Sequence, residues 1–173
     1  MSDIKKITIV SETKEEKQSK KRVVANTPKW TEHENKFSRE EQLQYLCNIY
    51  NKQNENTDIC KLIHKQINKK ISGYKNQDKL KKLYNPAEFI EKDDVISLMY
   101  ESQLKCYYCK EQTNLLYDVV RDTNQWSLDR LDNDFGHNKG NLVICCLSCN
   151  LTRKTMYHER FLFTKQLGTI KKV

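Results

Sequence analysis

The chain has 173 residues and a net charge of +8, with 31% charged against 37% hydrophobic residues. This length suits one compact domain with extensions, or two small domains. No apolar run approaches the roughly 18 residues that a membrane helix needs, and the N-terminal segment is too charged for a signal peptide. We therefore expect a soluble intracellular protein, in the cytoplasm or nucleus, with no membrane partner.

The charge is distributed unevenly along the chain. Residues 61–82 carry +7 and residues 153–173 carry +5, whereas residues 83–152 carry −5. Basic segments on both sides of an acidic one suit a polyanionic partner, since lysines neutralise phosphates and release their counterions. The lysine runs by themselves are equally well explained as solvated helix faces. The acidic middle is easier to understand if that part of the chain holds cations.

The first half of the sequence predicts an arm followed by helices. Residues 1–37 mix charges without apolar periodicity, which is typical of a disordered arm or one that orders on binding. The capping box Ser38-x-x-Glu41 begins a helical region over 38–92 with a lysine-rich face. Within that region, residues 72–79 (SGYKNQDK) are interpreted as a linker. The N-terminal helices should pack as a hairpin, and they could also form the interface of an isologous homodimer.

The second half alternates helical and strand-like patterns. The predicted elements are a helix over 93–102, strands over 115–120, 125–130 and 141–146, and a helix over 150–167. Residues 131–141 form a polar loop rich in Asn, Asp and Gly. The predicted fold class is therefore α+β, with the strands confined to the C-terminal part.

Four of the seven cysteines occur in two pairs with metal-ligand spacing, Cys106-x-x-Cys109 and Cys146-x-x-Cys149. Each C-x-x-C pair turns two thiolates toward one point, and two pairs complete a tetrahedral zinc site. Cys145 would form a C-x-x-x-C pair with Cys149, so Cys146 is the better ligand. Any one of these residues alone could be an ordinary buried cysteine. The set predicts Zn²⁺ in a structural role, because four thiolates leave no coordination position open.

Polar residues on both sides of the second cysteine pair suggest another cation. Asp129 ends a predicted strand, the polar loop follows, and Asn150 begins the predicted final helix. A carboxylate and an amide oxygen can together hold one hard divalent cation and leave positions for water and a phosphate. The alternative is that Asp129 and Arg130 form a structural ion pair at the strand end.

This arrangement resembles the ββα-metal site of the HNH nucleases. It is similar in particular to the recombination endonuclease VII type of phages and large DNA viruses, in which two C-x-x-C pairs bracket the catalytic hairpin. The resemblance covers about residues 95–165. It implies a zinc-stapled ββα-metal module over 93–173, following the helical N-terminal part. It also implies a viral DNA endonuclease that hydrolyses phosphodiester bonds with Mg²⁺ or Mn²⁺.

The resemblance assigns roles to the matching positions. Asp129 and Asn150 match the ligands of the catalytic metal, and the cysteine pairs match the zinc ligands. Asn141 matches the asparagine whose side chain holds the hairpin loop. Arg130 stands where the family has its general-base histidine. Arginine stays protonated and cannot readily take a proton from water, but it can hold the scissile phosphate.

Three explanations are open for the missing base. His137 could take the proton, although a loop histidine that caps a turn is the simpler interpretation. Water bound to the metal could be acidic enough to need no protein base. Catalysis could also have been lost, leaving a zinc-containing nucleic-acid-binding accessory protein. In each case Arg153 and Lys154, one helical turn after Asn150, are predicted to contact a phosphate.

Overall fold

The computed structural model describes residues 38–53, 57–117 and 119–167, so the predicted arm over 1–37 lies outside the described residues. The elements are α1 (Arg39–Tyr50), α2 (Asp58–Leu80), α3 (Lys92–Ser102), β1 (Trp126–Arg130), β2 (Leu142–Cys146), α4 (Leu147–Arg153) and α5 (His158–Leu167). Helices combined with a small antiparallel sheet confirm the predicted α+β class. Over the described ranges, no helix is both long and apolar enough to cross a bilayer.

The first helices begin at side chains that satisfy free backbone N–H groups. Ser38 Oγ accepts from the Glu41 N–H at 3.2 Å, and the Glu41 carboxylate accepts from the Ser38 N–H at 2.6 Å. This confirms the predicted capping box. Thr57 caps α2 in a similar way, because its hydroxyl accepts from the Cys60 N–H at 3.3 Å. The predicted helix over 93–102 is also confirmed, as α3.

The linker predicted over 72–79 is wrong, because α2 continues through this segment to Leu80. Gly73 lies in the helix interior, where glycine costs roughly 0.5–1 kcal/mol relative to alanine. Tertiary contacts outweigh that cost. The Tyr74 hydroxyl accepts from the Leu128 N–H of β1 at 3.0 Å, and Asp78 is completely buried. The last two turns of α2 are therefore anchored against the β-hairpin.

The sheet consists of one antiparallel hairpin, β1 and β2, with Asp129 opposite Val143. Two of the three predicted strands are confirmed within a residue of their expected bounds. The strand predicted over 115–120 is wrong. The backbone N–H groups of Leu115 and Leu116 donate to the Gln42 side chain on α1, at 2.8 and 3.0 Å, and do not join a sheet ladder.

The single helix predicted over 150–167 is divided in two. α4 begins at Leu147, so Asn150 lies inside this helix and not at its start. The chain leaves the helix at Lys154, whose φ of 53° is in the left-handed region. α5 then resumes at His158. The α4 helix packs against both strands, which gives the order β1, β2 and helix a ββα arrangement.

One apolar cluster joins the N-terminal helices to the hairpin. It contains Leu46 from α1, Ile63 from α2 and Met99 from α3, together with Leu128 and Ile144 from the strands. A smaller cluster surrounds the four cysteines and includes Tyr108 and Phe161. Because α2 shares its core with the hairpin, side chains from its polar face lie beside the predicted site.

Candidate functional site

The two cysteine pairs meet at one point, which we call the four-cysteine cluster (Cys106, Cys109, Cys146 and Cys149). Their sulfur atoms all lie within 4.8 Å of one another, and Cys109 Sγ is 3.9 Å from Cys146 Sγ. A tetrahedral site with metal–sulfur bonds of about 2.3 Å requires sulfurs roughly 3.8 Å apart. The cluster could therefore hold a structural metal such as zinc. Elsewhere among the described residues, no three His, Cys, Asp or Glu donors gather in this way.

Local backbone structure brings the cysteine pairs together. The Tyr107 N–H, inside the first pair, donates to the Ile144 carbonyl of β2 at 2.8 Å. Cys146 Sγ caps α4 by accepting from the Cys149 N–H at 3.4 Å. Cys145 lies outside the cluster, and its sulfur is 3.3 Å from Ser127 Oγ, because successive strand residues face opposite sides of a sheet.

The electrostatics of the four-cysteine cluster favour a cation. A hydrogen bond from the Cys146 thiol lowers the pKa of the Cys106 thiol to about 4. Burial, together with the charge on Cys106, raises the pKa of Cys149 to about 12. The first thiolate thus opposes formation of further thiolates in the same small volume. A divalent metal would supply the positive charge that four thiolate ligands need.

A groove of about 710 Å³ runs between α2 on one side and β1 and α4 on the other. The basic side chains that line it are Lys65, Lys69, Lys70, Lys81, Arg121, Arg130 and Lys154. Asp129 is the one carboxylate among the described residues lining this groove, and Ser127, His137 and Asn150 contribute polar groups beside it. We call these last four residues the groove floor. The combined charge suits a ligand that carries several negative groups.

Asp129 lies at the end of β1 and is only 6% exposed. Its Oδ2 accepts from Arg153 Nε at 2.6 Å and from the Tyr108 hydroxyl at 2.7 Å, and its Oδ1 accepts from Arg153 Nη2 at 2.8 Å. The structural ion pair of Asp129 is therefore formed with Arg153 and not with Arg130. A carboxylate has about four acceptor sites, so Oδ1 keeps one site for a further partner.

Arg153 and Lys154 are both predicted from the sequence to contact a phosphate, but they have different surroundings. Arg153 is 1% exposed, and its remaining donors reach the Met156 and Arg130 carbonyls, each at 2.6 Å. Its guanidinium therefore has no free side for a phosphate. Lys154 is exposed and lines the groove. The chain leaves the helix between these two residues, which separates them.

Asn150 and Arg130 both line the groove and both contact the backbone. Asn150 Nδ2 donates to the Leu128 carbonyl and to Ser127 Oγ, each at 3.1 Å, which orients the amide against β1. Arg130 Nη1 donates to the Phe135 carbonyl at 3.0 Å, inside the polar loop. The Arg130 guanidinium thus supports the loop while the residue also lines the groove.

Asn141 lies at the base of the polar loop. Its Oδ1 accepts from the Asp132 N–H at 2.9 Å, while its Nδ2 donates to the carbonyls of Asp132 and Gly136 at 2.9 and 3.1 Å. These three bonds close the loop from within. Asn141 therefore acts on the position of the loop and does not line the groove.

His137 is 5% exposed and is held by α2. Its Nδ1 lies 2.8 Å from Asp78 Oδ1, its backbone N–H donates to Asp78 Oδ2 at 2.6 Å, and its ring stacks on Tyr74 with centroids 4.5 Å apart. Sequence analysis missed Asp78 and Tyr74 because both lie in the segment interpreted as a linker. Their i, i+4 spacing would have placed them on one face of a longer helix.

Lys70 is a second groove residue that sequence analysis missed. Its ammonium donates to the Trp126 carbonyl and lies 4.2 Å from the centre of the Trp126 ring. Burial lowers the pKa of Lys70 to about 7. Within the run of eight lysines over residues 61–82, no local pattern distinguishes Lys70 from its solvated neighbours.

The fold and the site together define an α+β chain in which helices pack on a ββα unit. A metal held by the four-cysteine cluster could link parts of this unit. Comparison with family models, with curated proteins and with solved structures gives no match for this chain.

Proposed function

We propose that the chain is a metal-dependent endonuclease of the HNH type that hydrolyses phosphodiester bonds of DNA in the basic groove. One observation carries the proposal. Asp129 and Asn150, which sequence analysis paired as cation ligands, both line a groove whose other charged groups are lysines and arginines. A polyanion drawn into this groove would pass directly over the groove floor.

Nucleic-acid binding would depend on charges from both walls. Lysines of α2 form one wall, while Arg130 and Lys154 come from the hairpin and the end of α4. Each phosphate that they neutralise would release counterions, so affinity should fall steeply with salt concentration. Arg130 would hold a phosphate, since its guanidinium is always charged and suits phosphate geometry.

The residues at the groove floor fit a hard divalent cation. The free acceptor site on Asp129 Oδ1 and the amide oxygen of Asn150 are oxygen donors, the type that Mg²⁺ and Mn²⁺ prefer. Mg²⁺ is commonly bound through one or two protein groups plus substrate phosphate and water. When bound, the cation would stabilise negative charge on the phosphate. A zinc ion in the four-cysteine cluster would be structural, because all its positions would be filled.

A non-catalytic nucleic-acid-binding protein is the second candidate. The observation that favours it is the bidentate ion pair between Asp129 and Arg153, which gives the Asp129 carboxylate a partner without a metal. Arg130 at the position of the family's base points in the same direction. The groove would then bind phosphates without cleaving them.

Cleavage of plasmid DNA by the zinc-loaded full chain with Mg²⁺ or Mn²⁺ separates these candidates. We expect nicking or cutting by the wild type, and a loss of at least 10²-fold in Asn150→Ala with zinc content unchanged. The matched control is Asn124→Ala, which changes an exposed asparagine outside the groove lining. Salt-dependent binding without cleavage under either metal would favour the second candidate. Absence of nucleic-acid binding would contradict both.

A further inference from the structure

Helix α2 contributes more than lysines to the groove. Asp78 is completely buried, and both its carboxylate oxygens contact His137, one at the ring and one at the backbone. A buried carboxylate paired with a histidine in this way fixes the orientation of the imidazole. The pair spans 59 positions of sequence and joins the last turn of α2 to the polar loop.

The geometry also selects the tautomer of His137. Asp78 Oδ1 is an acceptor, so the Nδ1 atom of a neutral imidazole carries the proton and donates it. Nε2 is then the ring nitrogen with a free lone pair, and His137 lines the groove. Tyr74 packs on the imidazole face, while its own hydroxyl is bound to the Leu128 N–H. Asp78 thus holds the edge of the imidazole ring, and Tyr74 packs against its face.

We propose that Asp78 and Tyr74 are positioning residues that hold His137 Nε2 ready to act as the general base of the groove. This inference rests on the proposed nuclease function. In the step that it describes, a water molecule gives one proton to Nε2 and its oxygen bonds to phosphorus. The bond from phosphorus to the leaving oxygen breaks, and that oxygen keeps the electron pair and takes a proton from solvent. His137 then returns its proton to solvent.

The charges around His137 suit a base at neutral pH. Burial lowers the pKa of His137 below its usual 6.5, and Arg130 on β1 and Lys81 after α2 act in the same direction. The hydrogen bond and charge of Asp78 raise the pKa and oppose that shift. His137 is therefore neutral at pH 7, which is the form that accepts a proton. Removing Asp78 should lower the pKa of His137 further.

The test measures the pH dependence of DNA cleavage in Asp78→Asn. An asparagine can accept from only one of the two donors of His137, so the fixed tautomer is lost. We expect the maximal rate to fall at least 10-fold, and the acidic limb of the pH–rate profile to move to lower pH. His137→Ala should lose about 10²-fold or more, as expected for a missing general base. The control is Asp134→Asn, at an exposed position of the polar loop that contains His137. This variant should leave the maximal cleavage rate and the acidic limb of the pH–rate profile unchanged.

A second measurement covers the case in which Asp78→Asn does not fold. Imidazole nitrogen shifts of wild-type His137 should show a neutral ring protonated at Nδ1 at pH 7, and protonation at Nε2 would overturn the inference. The inference would also be overturned if Asp78→Asn and His137→Ala both cleaved DNA at the wild-type rate with an unchanged acidic limb. That result would leave the proposed nuclease function in place. Absence of wild-type cleavage would overturn the proposed function itself, whatever the tautomer of His137.

Discussion

The four-cysteine cluster and the groove floor both bring polar side chains together, but they are assembled over different distances. Each cysteine pair is arranged within four residues, the first in a turn and the second at the start of α4, and the first pair is bonded to β2 through the Tyr107 N–H. The groove floor instead depends on contacts between the hairpin and α2, such as the bond from His137 to Asp78 across 59 positions. The cysteine spacings are short enough to be recognised in the sequence, whereas the orientation of His137 at the groove floor depends on the docking of α2.

The two regions should therefore fail in different ways. Loss of a ligand from the four-cysteine cluster removes the metal, and with it the link between the first cysteine pair and the end of the hairpin. Loss of a contact at the groove floor keeps the metal in place, but it leaves a buried charge without its partner or creates a cavity.

Cys149→Ser should have the largest effect. Binding of a structural zinc contributes on the order of 10 kcal/mol, so the ββα unit should lose its metal and unfold. Circular dichroism and metal analysis of the purified protein would show this. Cys145→Ala is the matched control, since this buried cysteine lies outside the cluster and its loss should leave the zinc content unchanged. Folded wild-type protein that contains no metal would contradict the zinc site.

Arg153→Leu should destabilise the groove floor while keeping the metal. It leaves the Asp129 carboxylate buried and without its cation, which typically costs about 3–5 kcal/mol. Urea unfolding of the zinc-loaded protein would measure the loss. The double variant Asp129→Asn/Arg153→Leu should recover much of it, because no charge then remains buried. Lys154→Gln, at the exposed next position, should have little effect, and an equal loss in that variant would argue against the ion pair.

Gly136→Ala should weaken the docking of α2 against the polar loop. A Cβ at this position would lie 2.5 Å from the Leu83 carbonyl oxygen and 2.9 Å from Asp78 Oδ2, so the backbone must shift. Overpacking of this kind typically costs about 1–3 kcal/mol. We expect faster hydrogen exchange in the last turns of α2 and unchanged zinc affinity. Unchanged hydrogen exchange in α2 would contradict a close contact between Gly136 and the end of α2 in solution.

Lys70 should make stability rise with pH above neutrality. Its pKa falls from 10.5 to about 7 on folding, so between these values the unfolded chain binds more protons than the native one. The free energy of unfolding should then increase with pH by up to about 1.4 kcal/mol per unit. Comparison of wild type with Lys70→Met between pH 7 and 9 isolates this contribution. Parallel pH profiles of the two proteins would contradict the lowered pKa of Lys70 in the folded protein.

Gly73→Ala should give the smallest effect, and in the stabilising direction. Apart from the adjoining residues and backbone of α2 itself, no atom of the described residues lies within 4 Å of the added Cβ, and alanine is favoured over glycine in a helix by about 0.5–1 kcal/mol. Thermal unfolding should show a modest rise in Tm. A fall would indicate that residues 72–79 are not helical in solution, as sequence analysis first suggested.

The elements and the cluster whose causes are local can be recognised in the amino-acid sequence. The capping box at Ser38, the short strands Trp126–Arg130 and Leu142–Cys146, and the C-x-x-C spacings depend on patterns within a few residues, so each could be recognised without knowing the rest of the chain. The four-cysteine cluster was predicted residue by residue for this reason. The α+β class followed from the same local patterns.

The path of α2 and the partners at the groove floor depend instead on contacts between distant parts of the chain. Local propensity favours a break at Gly73, and the bond of Tyr74 to β1 together with the burial of Asp78 overrides it. The same docking places Asp78 beside His137, while the end of α4 turns Arg153 inward to Asp129. A buried charge must find its counter-charge wherever the fold brings one near, and sequence spacing does not record that proximity.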